Sequence, residues 1–454
     1  MKKYQLLSII FLITFGGGSL CNLLRQQPAN DTIKEISTLK TVLPDAESFS
    51  DKTGVPPHYK AFKTNPATGE KELAGVAFLT TDIVPEIRGY AGPIKIMVGM
   101  DTHGTLIKIH ILSHSETPAY VSTLGQFIEQ FHSLDIKNTF HLGKDIDGMT
   151  RATVSSEAIV RAVEKSMKIV AVKILYLHVP KVNTPKVSIP LDQILLPIIL
   201  FGIAVLGVIL HNNILRWVSL LGGLGYLGLL KSTMVSVIQI ANIGLLKFPI
   251  FTNCPLWYLL VGLTLVTTLA LGMVYCGSLC PFASLQELLY NAFHKIFPKK
   301  IRLSKVVDRK ARYLKYTILF AAVLISLILG NASAANFEPY ILLFTAHTTQ
   351  IGWVFLMVIL TASVFHFRFW CKYLCPMGAF NGLLAKVSLL KIHLGDDCGG
   401  CQICAKVCPT EAIKMDAFNR PMIDYPECVL CNKCITKCPK GTMSLQKTSY
   451  AKTG

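Results

Sequence analysis

The chain has 454 residues, of which 51% are hydrophobic and only 16% charged, and its mean hydropathy is +0.46. That balance is too apolar for an ordinary soluble protein and points to membrane spans. The formal net charge of +18 does not read as nucleic-acid binding, because Lys and Arg gather beside apolar runs, where membrane orientation accounts for them.

Residues 1–28 open with MKKYQLLSIIFLITFGGGSLC, a basic start before an apolar stretch. No small-x-small cleavage site comes soon after, and Leu20 before Cys21 is a poor fit to a lipoprotein signal, so an uncleaved signal anchor is expected. Lys2 and Lys3 then stay inside, and the chain beyond the anchor is exported. Residues 30–185 are polar and contain no cysteine. GPIKIMVGMD and LIKIHILSH alternate like two strands joined by a turn at Asp101 to Gly104, and SSEAIVRAVEKSMKIV has helical apolar spacing. An extracytoplasmic α+β domain is predicted, with a helix starting near Ser156.

Residues 190–394 read as a polytopic helical membrane domain. Span candidates are 194–210, 214–230, 256–275, 316–330 and 351–370, about six with the N-terminal anchor. The apolar segment 232–254 reads as re-entrant or interfacial. Lys295 to Lys315 holds nine Lys or Arg against one acid, Asp308, whereas Asn331 to Gln350 has none and carries only Glu338. Short-loop basic bias therefore puts the first loop, and with it the C-terminus, in the cytoplasm of a multi-pass inner-membrane protein. His366 is the only histidine well inside a span, which argues against a bis-histidine haem.

Residues 395–447 carry the sharpest signal. Cys398, Cys401, Cys404 and Cys408-Pro409 form one C-x2-C-x2-C-x3-C-P run, and Cys428, Cys431, Cys434 and Cys438-Pro439 repeat it. This spacing holds 4Fe-4S clusters in bacterial ferredoxins, where the fourth cysteine of each run ligates the other cluster. The expected sets are Cys398, Cys401, Cys404 and Cys438 for one cluster, and Cys428, Cys431, Cys434 and Cys408 for the second, in a small ferredoxin-like α+β unit. Zinc knuckles lack this pairing, and a cytoplasmic tail does not keep disulfides.

Two further pairs close apolar runs: YCGSLCPFASLQELL from Tyr275 and WCKYLCPMGAFNGLL from Trp370. They align as aromatic-Cys-x-x-Leu-Cys-Pro, then small residues, an amide (Gln286, Asn381) and Leu-Leu, so a duplicated membrane unit is inferred. If the turn is helical, positions i and i+4 put both thiols of a pair on one face. Three readings stay open for Cys276, Cys280, Cys371 and Cys375: four ligands of one iron or iron-sulfur centre, two dithiols cycling with disulfides, or buried free thiols.

In the exported domain, DGMTRATVSS precedes a helix, whose N-terminus favours a phosphate, although Thr and Ser there commonly act as plain caps. The string resembles the D-x-x-(S/T)-G-A-T motif of the FMN-binding domains of RnfG and NqrC subunits, and RGYAGPIKIMVGMD and HSETPAY are also similar to that family. The resemblance implies FMN joined through a phosphoester to Thr153 by a flavin transferase, with Asp147, Gly148, Thr150 and Ala152 completing the motif. Gly89, Tyr90, Glu116, Thr117 and Pro118 match further family positions as candidate pocket residues. Arg151 departs from the family's glycine, which bears on covalent attachment more than on flavin binding.

The whole order of parts resembles the NosR/NirI family and the related NapH-type and RdhC-type proteins. It implies electron transfer between a cytoplasmic donor or quinol and the exported flavin, which serves an extracytoplasmic reductase or electron carrier. No catalytic residue or small-molecule substrate of the chain's own is expected. A redox sensor or maturation protein for a respiratory enzyme is the alternative.

Overall fold

The computed structural model describes residues 29–447 apart from 66–68, 91, 117–120, 150–151, 180–190, 249–250, 252–253, 297–303, 336, 346–349 and 396. The N-terminal anchor, Thr117, Pro118, Thr150 and Arg151 thus lie outside the described residues.

After helix α1 (Ala29–Val42), the N-terminal domain forms a five-stranded antiparallel meander in chain order: β1 (Ser48–Phe49), β2 (Tyr59–Thr64), β3 (Lys71–Leu79), β4 (Lys95–Asp101) and β5 (Leu106–Ser113). Strand alternation sends Val76, Phe78, Ile96 and Val98 to one face and Ala77, Leu79 and Met97 to the other. Beyond α2 (Leu124–Glu129), helix α3 (Thr153–Lys173) covers the first face with Ile159, Val163, Met167 and Val170, while Leu39 and Val42 of α1 cover the second. Because both faces are covered, the end of β3 reads as an unbroken apolar run rather than an alternation. The predicted hairpin is present, its turn held by Asp101 Oδ1, which accepts from His103 N at 2.9 Å and Thr105 N at 2.7 Å.

The membrane region begins with the hairpin of α4 (Asp192–Ile209) and α5 (Asn213–Gly222, prolonged as a π-helical stretch to Leu230). Asn212 Oδ1 caps α5, accepting from Ile214 N at 2.8 Å. Then come α6 (Val237–Gly244), α7 (Pro255–Leu271), α8 (Val274–Ser278), α9 (Pro281–Ile296), α10 (Lys305–Leu329), α11 (Pro339–Thr345), α12 (Gln350–Phe365), α13 (Phe369–Tyr373) and α14 (Pro376–Ala385). Among the described residues, Asn213–Leu230 and Val306–Leu329 are long and apolar enough to cross a membrane. Gln193–Ile209, Pro255–Leu271 and Gln350–Phe365 are apolar but shorter. Ile351, Val354, Met357 and Val358 of α12 remain exposed, a surface that suits hydrocarbon rather than water.

The tail comprises β6 (Leu390–Leu394), α15 (Ile403–Val407), β7 (Ile413–Met415), β8 (Pro421–Ile423), α16 (Lys433–Thr436) and β9 (Met443–Lys447). β6 pairs with β9, so this unit begins by Leu390, ahead of the boundary at 395 read from the cysteines. Its core is continuous with that of the membrane helices. The two polar units lie at opposite ends of α10. Arg312 donates to Thr410 O at 3.1 Å and Lys315 to Glu427 Oε1 at 2.7 Å on the tail side, whereas Ser333, just past the far end, donates to Ser115 O of the N-terminal domain.

The N-terminal domain is tied internally by Glu35, only 6% exposed, which meets Lys95 at 2.8 Å, Lys52 at 3.1 Å and the Tyr59 hydroxyl at 3.1 Å. Burial by itself raises the Glu35 pKa, yet Lys95 and Lys52 together hold it below its ordinary value. Burial and the Glu35 charge push Tyr59 up to about 12. A depressed carboxyl contributes stability that is complete above its unfolded-state pKa, about 4.3, and is lost as pH falls through the folded value. Glu35→Gln is expected to cost about 2 kcal/mol at neutral pH and to flatten the acid side of the stability profile. Urea unfolding of residues 29–179 across pH, followed by circular dichroism, measures both.

Candidate functional site

The tail places its cysteines around two voids. Cys408, Cys428, Cys431 and Cys434 line one of about 350 Å³, together with Ile413 and Val429. Cys398, Cys401, Cys404 and Cys438 line the second, about 670 Å³. Each void therefore takes three thiols from one run and the fourth from the other. Burial pushes the Cys404 thiol up and the Cys434 thiol up to about 12, so a bound cation would be what keeps them as thiolates. Cys438 differs: the Thr442 hydroxyl 3.4 Å away holds it below its ordinary value.

A third void of about 640 Å³ lies in the membrane region, and all four cysteines of the duplicated motif line it. They do not share helix faces in the way the i, i+4 expectation required. Each apolar helix stops short of its pair, at Leu271 and Phe365, and a short helix, α8 or α13, then carries Cys276 or Cys371. The second cysteine sits outside that helix because the following proline lacks an N–H and starts the next one. Cys375 is the cap of α14, and its Sγ accepts from Gly378 N at 3.2 Å.

The first cysteine of each pair is reached from the opposite repeat. Gln286 Nε2 donates to Cys371 Sγ at 3.3 Å, and Asn381 Nδ2 donates to Cys276 Sγ at 3.3 Å. Among the described residues no three Cys, His, Asp or Glu side chains close on one ion. A cubane spreads four thiolates over four irons, so a void ringed by cysteines suits a cluster better than a lone iron.

Charge surrounds this void on its tail side. Glu287, 1% exposed, bridges Arg216 at 2.7 Å and Arg368 at 2.5 Å, both also buried. Arg368 donates to Cys276 O at 2.6 Å and Gly277 O at 3.0 Å, and Arg216 donates to Gly277 O at 3.1 Å. Arg368 and Lys315 line the void. Sequence reasoning passed over these residues, although an ionisable group inside an apolar span was itself the signal. The thiol void and the nearer tail void share Thr410 and Val429 as walls. α15, with Cys404, packs on α16, with Cys434, so the three voids succeed one another.

In the N-terminal domain, α3 begins at Thr153 rather than near Ser156. Ala152 is its cap, with no side-chain capping bond, and Ser156 is drawn into the first turn, where its Oγ accepts from Met149 N at 3.0 Å and donates to Ala152 O. The preceding loop is pinned by Gln130, which exchanges bonds with Asp147 N at 2.7 Å and Asp147 O at 3.1 Å. Asp147 and Gly148 are exposed, while Ala152 is buried. Glu116 is 5% exposed and accepts from Ser155 Oγ at 2.6 Å. Gly89 lies against it so closely that a Cβ there would stand 2.4 Å from Glu116 Oε1. Gly89, Glu116 and the start of α3 thus meet; Tyr90 is half-buried beside them in sequence. Cys254, buried just before α7 and not flagged by any spacing, lies within electrostatic reach of Glu116.

Comparison with known families accords with this division. The FMN-binding domain family matches residues 89–168, a 4Fe-4S binding domain matches twice, at 254–301 and 348–395, and a 4Fe-4S dicluster domain matches 397–443. Together these define an FMN-binding, ferredoxin-type iron-sulfur protein. The resemblance read from the motifs is borne out: the chain belongs to the NosR/NirI-type proteins. Uncharacterized protein MJ0750 of Methanocaldococcus jannaschii is 31% identical over 41% of this chain and 76% of that protein. The putative electron transport protein YccM of Escherichia coli is 32% identical over 43% of this chain and 57% of its own. The regulatory protein NosR of Pseudomonas aeruginosa is 32% identical over 41% of this chain and 27% of its own.

Seating of the tail rests on a close backbone approach, since a Cβ on Gly277 would stand 2.1 Å from Val429 O. Gly277→Ala is expected to lift the tail from the helices and to speed its release by trypsin several-fold in isolated membranes. Gly225→Ala, where a Cβ meets nothing within 4 Å, is expected to digest like the parent.

Proposed function

We propose that the chain is a multi-pass inner-membrane electron-transfer protein that links a cytoplasmic two-cluster tail to an exported flavin and serves an extracytoplasmic reductase or carrier. The observation that carries this reading is the series of three cysteine-ringed voids, running from the tail into the helices, with the exported domain at the opposite end of α10. In it, Cys398, Cys401, Cys404 and Cys438 hold one 4Fe-4S cluster and Cys408, Cys428, Cys431 and Cys434 the other. Cys276, Cys280, Cys371 and Cys375 hold a further iron-sulfur centre, and Thr153 carries FMN. These groups supply one-electron carriers and, in the flavin, an exchange point between one- and two-electron chemistry.

The chain's own residues shape the route. From Lys315, at the thiol void, to Leu329 the helix rises about 20 Å, less than the roughly 30 Å hydrocarbon core that separates the two faces. The thiol void therefore shortens the gap between tail and flavin without closing it. Electrons come from a cytoplasmic donor or quinol, and a flavin transferase loads Thr153. The description of the NosR relatives as regulatory proteins supports a second reading, a redox sensor. A deletion strain complemented with a cluster-ligand variant separates the two, since a sensor alters transcript levels and a conduit alters only reductase activity.

After denaturing electrophoresis, the wild type is expected to show a fluorescent flavin band and Thr153→Ala to show none. Equal or absent fluorescence in both defeats covalent attachment at Thr153. Electron paramagnetic resonance of the purified protein is expected to show a signal beyond the two tail clusters that disappears in Cys276→Ala and Cys371→Ala.

A further inference from the structure

The two amides that reach the motif cysteines are a matched pair. Gln286 and Asn381 occupy equivalent positions of the duplicated unit, each is fully buried, and each donates to the first cysteine of the other repeat at the same distance, 3.3 Å. The second cysteine of the second repeat takes a backbone N–H from its own repeat, that of Gly378 at 3.2 Å. Three of the four thiols of the void, Cys276, Cys371 and Cys375, thus accept an N–H bond.

Gln286 has its orientation fixed by its surroundings. Its Oε1 accepts from Trp370 N at 2.9 Å and from Ser363 Oγ at 3.1 Å. A backbone N–H can only donate, so the oxygen must face Trp370 and the NH2 must face Cys371, with a second bond to Phe282 O at 3.2 Å. Asn381 is held differently: among the described residues its Oδ1 finds no hydrogen-bond partner, although the side chain is fully buried. A side chain placed only for packing has no reason to bury an unpaired oxygen, which costs about 1–3 kcal/mol, whereas one placed to aim its NH2 at a sulfur does.

We propose that Gln286 and Asn381 are positioning residues that raise the reduction potential of the centre held by Cys276, Cys280, Cys371 and Cys375, by donating N–H bonds across the repeat axis. The inference rests on the reading that these cysteines hold such a centre. Reduction adds negative charge that spreads onto the sulfurs, so a donor to sulfur stabilises the reduced form more than the oxidised one.

The test is a dithionite titration of the detergent-purified full chain, monitored by electron paramagnetic resonance, with iron and sulfide measured per chain. Asn381→Leu removes a donor at similar volume and orphans nothing else; Gln286→Met does the same on the other side but also frees Trp370 N. Each is expected to keep its iron, leave the tail-cluster midpoints in place and move the midpoint of the membrane centre to more negative potential by about tenfold in the one-electron constant, or about 59 mV. The double variant is expected to move further than either. An iron-loaded Asn381→Leu protein with an unmoved or raised midpoint overturns the inference, as does loss of the centre from both single variants, which gives the amides a structural part alone. If Cys276→Ala and Cys371→Ala retain the wild-type spectrum, it is the underlying centre that fails rather than the part given to the amides.

Discussion

The membrane half of the molecule is organised around one buried carboxylate. Glu287 sits between Arg216 and Arg368, and none of the three is more than 3% exposed. Desolvating three charges is costly, and attraction offsets that cost only when geometry is good and the remaining donors find acceptors. Arg368 meets the condition by donating onward to the carbonyls of Cys276 and Gly277, whereas Arg216 donates onward to Gly277 O alone and its Nε finds no acceptor among the described residues. The start of α5, the segment bearing the first cysteine pair, and the break before the second pair are thereby clamped together. Arg368 adopts φ of 51°, a left-handed conformation that an L residue enters at a cost of about 1–2 kcal/mol, and its three-way bonding holds it there.

That clamp also shows where the two repeats have diverged. Gln286 and Asn381 kept their amides, and with them the reciprocal bonds to sulfur. One residue further, Glu287 is answered by Gly382; seven residues before Cys375, Arg368 is answered by Met273. The carboxylate comes from one repeat and a guanidinium from the other, so the salt bridge joins the repeats rather than repeating within them. Gly382 in turn admits the backbone of Pro426, as Gly277 admits that of Val429. Symmetry is kept where the thiols face each other and given up where the tail docks.

Legibility ran along the same line. Cysteine spacing anticipated how the tail thiols gather around two voids, because the local wrapping of a chain is written in short sequence intervals. Strand alternation carried the β4–β5 hairpin for an equivalent reason. The fold departed from expectation where third-dimensional context decides. Pro281 and Pro376 each start a new helix, so the i, i+4 geometry gave way to cysteines that converge from a helix and the cap of the next. Thr153 lies inside α3 because Ala152, a residue with no capping side chain, ends up as the cap. The amides were visible as a repeated feature, but that each crosses to the other repeat depends on how two hairpins face, which no spacing encodes. Gln130, Ser155 and Cys254 had no local signature, since each acts on a partner far along the chain.

The distribution of charge around the thiol void is as one-sided as its connections. Lys315, Arg368 and Lys372 line it, and their carboxylate partners, Glu427, Glu287 and Glu411, lie toward the tail or on the clamp. Away from the tail the lining changes to Val235, Tyr275 and Tyr340. The Tyr275 hydroxyl is committed to Val235 N at 3.1 Å, and Glu338 beyond is spent on Val237 N at 3.3 Å. In a medium of low dielectric, cations at one wall act with far more strength than the same charges in water. Negative charge in the void is therefore drawn toward the tail side, where Val429 and Thr410 form the shared wall with the next cysteine set. Lys315 and Lys372 both line the void and bond the tail, through Glu427 and Glu411, so the docking of the tail and the charge at that wall are coupled in this fold.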